Sequence, residues 1–441
     1  MAILYILISV VAIVLLITRL KLHPFLALLL VSIVFGLVSG MSFNVLITSI
    51  QDGFGGTLGK IGLIIILGVV IGAFLEHSGG AMALAEKVLQ VIGKKRVITA
   101  MGVVGYIISI PVFADSGFIL LSALNKSLTK KAGISLAATA IALAMGLMAT
   151  HTLVPPTPGP IAAAGILNAD LGKVILLGLP VALVALVAAL IFSKKVAAKI
   201  FIDPQPEPPN EQNIAYSPGV LKSAMPIVIP IVLIILKSLA AFLSDEGWQS
   251  SAKYILSFVG EPVIALIIGF LFCLALPAKL EKQMLSADGW VGQALLSCTS
   301  ILLITGAGGI FGKVLQNSEA GKLMGDSLSQ LHIGIWLPFI LSAAFKSAQG
   351  SSTVALITTA SIMVSLMPGL GYTGEWDKVL VVLAIGAGSM VVSHANDSFF
   401  WVVTQMSGMD VKTGYKLHTL ASLIIGITAM LALFILFLVL H

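Results

Sequence analysis

Asp115 stands between two apolar runs, Ile110-Pro111-Val112-Phe113-Ala114 before it and Ser116-Gly117-Phe118-Ile119-Leu120-Leu121 after it. A carboxylate in that setting needs a role or a partner. It suits a proton carrier or an acceptor in a substrate site; the structural alternative is an ion pair with Lys346. Lys346 is the obvious cation of another interrupted apolar segment. It suits a substrate carboxylate, or it snorkels to the surface. His151 and His394 occupy matching places in the two halves of the chain. Imidazole titrates near neutrality and suits proton coupling, with a hydrogen bond at a hairpin tip as the structural alternative. Asp397 is a further proton-coupling candidate, and Glu76-His77 closes an apolar run as either a relay pair or a helix end at the interface.

Small and hydroxylic residues surround these groups. Ser116, Gly117, Thr152, Thr157, Ser347, Gln349, Gly350, Ser351, Asn396 and Ser398 join Asp115, His151, Lys346, His394 and Asp397 as the candidate substrate-binding set. They fall in segments that are apolar but broken. Pro155-Pro156-Thr157-Pro158-Gly159-Pro160 puts four prolines in six residues, which removes backbone donors and forbids a continuous helix. Irregular backbone at membrane depth must face protein or a water-filled cavity. Helix ends at such a break expose unpaired N–H groups and partial positive charge, a ready place for a carboxylate.

The elements that carry these breaks are membrane helices. Of 441 residues, 58% are hydrophobic and 10% charged, against about 25% charged in soluble domains. Mean hydropathy is +1.09. Apolar stretches near span length include Met1–Ile17, Leu22–Val38, Val174–Phe192, Met225–Leu243, Val263–Leu276 and Leu420–Leu440. The pattern predicts an all-α polytopic membrane protein of about 12 spanning helices. The first stretch reads as a retained helix, because its basic residues Arg19 and Lys21 follow the apolar run. Cys273 and Cys298 form no CxxC or Cys/His cluster, so no metal or cofactor is expected. The net charge of +6 marks cytoplasmic loops and points to no nucleic-acid partner. Gly53-Phe54-Gly55-Gly56-Thr57-Leu58-Gly59 lacks the ending of a phosphate loop and reads as close packing or a turn. Asn44–Gly59 and Trp290–Leu296 read as short interfacial or scaffold elements, and Glu261-Pro262 as a span start at the interface.

The Pro-rich stretch 203–218 divides the chain into a first half, 1–202, and a second half, 219–441. The halves resemble each other. Leu75-Glu76-His77-Ser78 reads against Leu315-Gln316-Asn317-Ser318, Gly72 against Gly312, and His151 against His394. Placing the basic clusters inside puts the linker in the cytoplasm and gives the two repeats inverted topology, each with broken or re-entrant helices.

Gly55-Gly56-Thr57-Leu58-Gly59, Glu76-His77-Ser78-Gly79-Gly80-Ala81, Asp115-Ser116-Gly117-Phe118, His151 with the proline cluster, Asn168-Ala169-Asp170-Leu171-Gly172-Lys173 and Ala348-Gln349-Gly350-Ser351 together resemble the gluconate permease (gluconate:proton symporter) family. The resemblance covers essentially the whole chain and places it in the wider ion-transporter superfamily. It implies proton-coupled import of a sugar acid or small hydroxy acid such as gluconate or glycerate. It also implies a bacterial inner membrane location, a scaffold domain that forms a homodimer amid membrane lipid, and an elevator-like motion. Family members commonly read Glu-Val-Gly where this chain has Asp115-Ser116-Gly117, and His where it has Thr157. The shorter carboxylate and added hydroxyl suit another hydroxy acid.

The function expected is a secondary active transporter of a small organic anion with a proton, not an enzyme. The rivals are a sodium-coupled or exchange carrier using Asn396, Ser398 and Thr152 as ion ligands, a passive channel, and, more distantly, an intramembrane enzyme. A reporter fused within 203–218 is expected to report a cytoplasmic location. A periplasmic signal would overturn the orientation.

Overall fold

The computed structural model describes residues 2–93, 96–204, 218–240, 250–318 and 334–440. The Pro-rich linker lies, from 205 to 217, outside the described residues. Among the described residues every long element is helical. Helices α1 (Ala2–Thr18) and α2 (Pro24–Val38) precede α3 (Phe43–His77), a 35-residue helix capped by the Ser42 hydroxyl. Then come α4 (Gly80–Ile92), α5 (Val97–Ile108), α6 (Ala114–Ala132), α7 (Leu136–Leu153), α8 (Pro158–Leu167) and α9 (Leu171–Lys195). Helices α10 (Val220–Ala240), α11 (Ser250–Val259) and α12 (Pro262–Cys273) lead to the second unit. That unit comprises α13 (Trp290–Asn317), α14 (Trp336–Gln349), α15 (Ser352–Leu366), α16 (Glu375–Gly388), α17 (Ser398–Met406) and α18 (Val411–Leu440). Six described helices are long and apolar enough to cross a membrane, and five shorter ones are also apolar.

The order of elements repeats. A long helix (α3, α13) is followed by two helices joined at a break (α5 and α6; α14 and α15), then a second broken pair (α7 and α8; α16 and α17), then a closing span (α9, α18). The long helices pack antiparallel. Trp290, at the start of α13, stacks on His77 at the end of α3, with ring centroids 5.4 Å apart. At the opposite ends Asn317 donates to the Ser49 hydroxyl at 2.9 Å. Between them the backbone of Gly53 lies against Gly309 and Ile310. Equivalent helices running in opposite directions are what inverted repeats require.

Glycine makes the approach close. A Cβ at Gly53 would stand 2.6 Å from the Gly309 carbonyl oxygen, whereas one at Gly55 would meet nothing within 4 Å. Small residues let helix backbones touch in lipid, where dispersion contacts replace the hydrophobic drive. The same packing corrects the reading of Asn44–Gly59 and Trp290–Leu296 as short separate elements. Each is the opening stretch of one continuous helix, because tertiary contact overrides the low helix propensity of glycine. Inside the bundle, α7 and α16 are buried on nearly all sides, so they carry apolar residues all round.

Gly309→Ala is expected to destabilise the protein by about 1–3 kcal/mol through overpacking, and Gly55→Ala to be neutral or slightly stabilising. Thermal unfolding in detergent checks this; equal effects at both positions would remove the close α3–α13 contact.

Candidate transport site

Three helices begin at one cavity. The first residues of α6 (Ala114, Asp115), α15 (Ser352, Thr353) and α17 (Ser398, Phe399) line a space of about 310 Å³. Sequence sets each start. Ser351 caps α15 by accepting from the Val354 N–H at 3.3 Å, and Asp397 caps α17 through Phe399 N–H at 3.1 Å. Gly350, at φ 90°, ends α14 in a conformation that favours glycine. Each helix start carries roughly half a positive charge and free N–H groups. Together they make the cavity a place for an anion.

A cationic side chain bonded to two of the lining residues is already engaged. Lys346 is 1% exposed and donates to Asp397 Oδ2 at 2.6 Å and to the Gly350 carbonyl. Asp397 also accepts from the Ser393 hydroxyl. Lys346 therefore neither snorkels nor pairs with Asp115. Asp115 accepts from the Ser398 hydroxyl at 3.2 Å, and no cation is bonded to it among the described residues.

The remaining candidates separate into those on the cavity and those off it. Gln349, Gly350, Ser351, Asn396, Asp397 and Ser398 line it with Asp115 and His151. The His151 ring lies 6.0 Å from that of Phe113, and its Nδ1 is buried without a hydrogen-bond partner among the described residues. His394 is set back: its Nε2 meets the Ser347 carbonyl at 2.9 Å and its ring stacks on Tyr415. Asn396 donates to the same Ser347 carbonyl. Thr152 and Thr157 are buried and donate to the Met148 and Val154 carbonyls, one helical turn away or less. Gly117 packs against Leu147. Ser116 and Glu76 line a different cavity of about 220 Å³, with His77, Gln293 and Ser297. Phe113 lines both spaces.

Several lining residues had no sequence signal. Met148, Phe113 and Phe399 look like ordinary apolar residues of a span. Ser352 and Thr353 were within reach, since hydroxyls directly after a predicted break fall at a helix start.

Inverted repeats with opposed breaks around a shared polar cavity define a membrane transporter. The chain belongs to the GntP family of permeases: the GntP family permease profile matches residues 1–439. It is a multi-pass protein of the inner membrane, and its family is one of transporters rather than enzymes. It is 38% identical to an uncharacterized permease of Haemophilus influenzae over 92% of this chain and 86% of that one. It is 36% identical to a gluconate permease of Pseudomonas aeruginosa over 98% and 97%. It is 32% identical to the D-serine transporter DsdX of Escherichia coli, again over 98% and 97%. Its fold is similar to that of the Alcanivorax borkumensis YdaH transporter, described as having an unusual topology, with TM-score 0.64 and 14% identity over 88% of this chain and 87% of that one.

Removing one member of a buried ion pair strands the other and costs about 3–5 kcal/mol. Asp397→Asn is therefore expected to lower thermal stability sharply, and Asp397→Asn with Lys346→Met to recover part of the loss. A single variant that unfolds at the wild-type temperature would show the pair to be dispensable.

Proposed function

We propose that the protein imports a small hydroxy acid or sugar acid together with a proton, with Asp115 carrying the proton. The observation that carries this reading is the convergence of three helix N-termini on a cavity in which Asp115 has no cationic partner among the described residues. The helix ends attract an anion. An ionised Asp115 repels it, by about 3 kcal/mol at 5 Å and an effective dielectric constant of 20. Protonation removes that repulsion and converts Asp115 from an acceptor into a donor. Anion and proton therefore bind best together, which is the condition for symport. The Ser351, Ser352, Thr353 and Ser398 hydroxyls and the Gln349 and Asn396 amides suit the hydroxyl groups of such an acid. The relatives named for gluconate and D-serine share that chemistry, a carboxylate close to a hydroxyl.

Glu76 lines the neighbouring cavity, which shares Phe113 with the first, and this supports a part for it in passing protons toward Asp115. The second Asp, Asp397, is committed to Lys346, and His394 to Ser347, so neither is the first choice of carrier. For the sodium alternative, Thr152 faces away from the cavity, which leaves Asn396 and Ser398 as side-chain ligands.

The packing of the site against the long helices supports alternating access. Gly68 and Gly72 of α3 lie against the carbonyls of Pro156 and Pro111, at the two breaks of the first repeat. Their counterparts Gly308 and Gly312 of α13 lie instead against Ile357 and Ser361, within α15. Exchanging the two sets of contacts would carry the site on the order of 10–15 Å along the long helices, at 1.5 Å per residue. One proton with one monoanion moves no net charge, so each pH unit supports about tenfold accumulation.

Proteoliposomes loaded against an inward proton gradient are expected to accumulate radiolabelled gluconate, glycerate, idonate or D-serine, and a protonophore to abolish the accumulation. Asp115→Asn is expected to lose accumulation while retaining exchange. Normal accumulation by that variant, or uptake driven by sodium alone, would overturn the assignment.

A further inference from the structure

The break between α16 and α17 is held open from behind. Val392 sits at φ 55°, a left-handed conformation that a β-branched residue adopts only under constraint. The next residue, Ser393, supplies the constraint, and each of its polar groups is bound by α18. Its N–H donates to the Ser422 hydroxyl at 3.0 Å. Its carbonyl accepts from the Thr419 hydroxyl at 2.6 Å. Its hydroxyl lies 3.0 Å from His418 Nε2. In this stretch α18 contains a π-helical turn, Tyr415–Thr419. Such turns rotate the following face of a helix and gather at functional sites. Here His418, Thr419 and Ser422 all meet the one strained break, while Tyr415 stacks on His394.

The hydrogen-bond inventory fixes the protonation pattern. Asp397 Oδ2 accepts from Lys346 and also from Ser393. The Ser393 hydroxyl has one proton, which goes to Asp397. Its oxygen must then accept, so His418 Nε2 is the donor; a fully buried imidazole with no carboxylate bonded to it among the described residues stays neutral, which makes His418 the Nε2–H tautomer. Nδ1 is left buried without a partner among the described residues. The ring has no solvent exposure and packs edge-on against Phe399 and Phe400, at 5.6 and 5.8 Å. Phe399 itself lines the cavity.

We propose that His418 is a positioning residue of the transport site: by donating to Ser393 it directs the serine proton onto Asp397, which keeps Lys346 bound there and holds α17 in register with the cavity. This rests on reading the cavity as the transport site. His418 touches no substrate. It acts through Ser393, Asp397 and Phe399, and it keeps a lysine charge out of a cavity whose own titrating group is Asp115. A lysine freed from Asp397 would neutralise that carboxylate directly and weaken the link between proton and anion.

His418→Gln keeps a side-chain N–H donor, and His418→Met removes it at similar size. Uptake kinetics are expected to show KM raised about tenfold in His418→Met, with a smaller change in maximum rate, and within about threefold of wild type in His418→Gln, the scale of one hydrogen bond to a charged network. The pH profile of His418→Gln is expected to match wild type. Loss of that pH dependence would make His418 a proton carrier and overturn the positioning role, as would wild-type kinetics in His418→Met. Nitrogen-15 spectra of histidine-labelled protein in lipid provide a second measurement that needs no transport. A neutral Nε2–H ring that shifts in Ser393→Ala supports the proposal; an Nδ1–H or charged ring overturns it. Failure of the wild type to take up any acid would count against the transport reading, and the spectra would still decide this one.

Discussion

The Lys346–Asp397 pair is the interaction on which the site depends. It joins the end of α14 to the start of α17, elements that are far apart in sequence and that each border a break. The lysine also binds the Gly350 carbonyl, which the end of a helix leaves without an intrahelical partner. One buried cation thus satisfies a backbone group at one break and a carboxylate at another. Burying two charges is expensive, and such a pair persists only when further hydrogen bonds complete it. Ser393 and the Phe399 N–H supply them to Asp397.

The pair also divides the electrostatic labour. With Lys346 occupied, attraction for an anion comes from helix starts, whose charge is fixed in direction and does not titrate. On the proposed reading the variable charge is left to Asp115, and a lysine standing in the cavity would bind an anion at any proton concentration and remove the advantage of co-binding. The antiparallel α3 and α13 frame this arrangement. Their glycines allow breaks to rest on one helix and a helix body on the other.

Much of this was legible in the residues. Apolar runs with few charges left no alternative to a polytopic helical protein. Pro111 with Asp115-Ser116-Gly117, proline at 155, 156, 158 and 160, and polar residues at 346–352 and 393–398 marked four segments that cannot run as unbroken helices in lipid, and the structure breaks there. Asp115 stood out because a carboxylate among apolar neighbours is costly. Other residues misled. Thr152 and Thr157 lie beside breaks but give their hydroxyls to nearby backbone carbonyls, Thr152 within its helix and Thr157 across the turn before α8. Asn44–Gly59 read as a short interfacial or scaffold element because glycine is a poor helix former. Its role appears only when Gly309 is placed opposite.

Sequence alone determined the solvent, the helical class, the duplication and the places where helices stop, because these follow from local polarity and backbone chemistry. Tertiary structure alone decided which polar groups meet. The residues suggested Asp115 as the partner of Lys346, and the partner it has is Asp397. Only the convergence of α14 on α17 brings Asp397 within 2.6 Å of Lys346. His418 carried no signal at all, since a histidine early in an apolar span has no partner until a π-helical turn faces it toward Ser393. Pairings of that kind depend on the relative position of whole helices, a property of packing in three dimensions that no stretch of neighbouring residues contains.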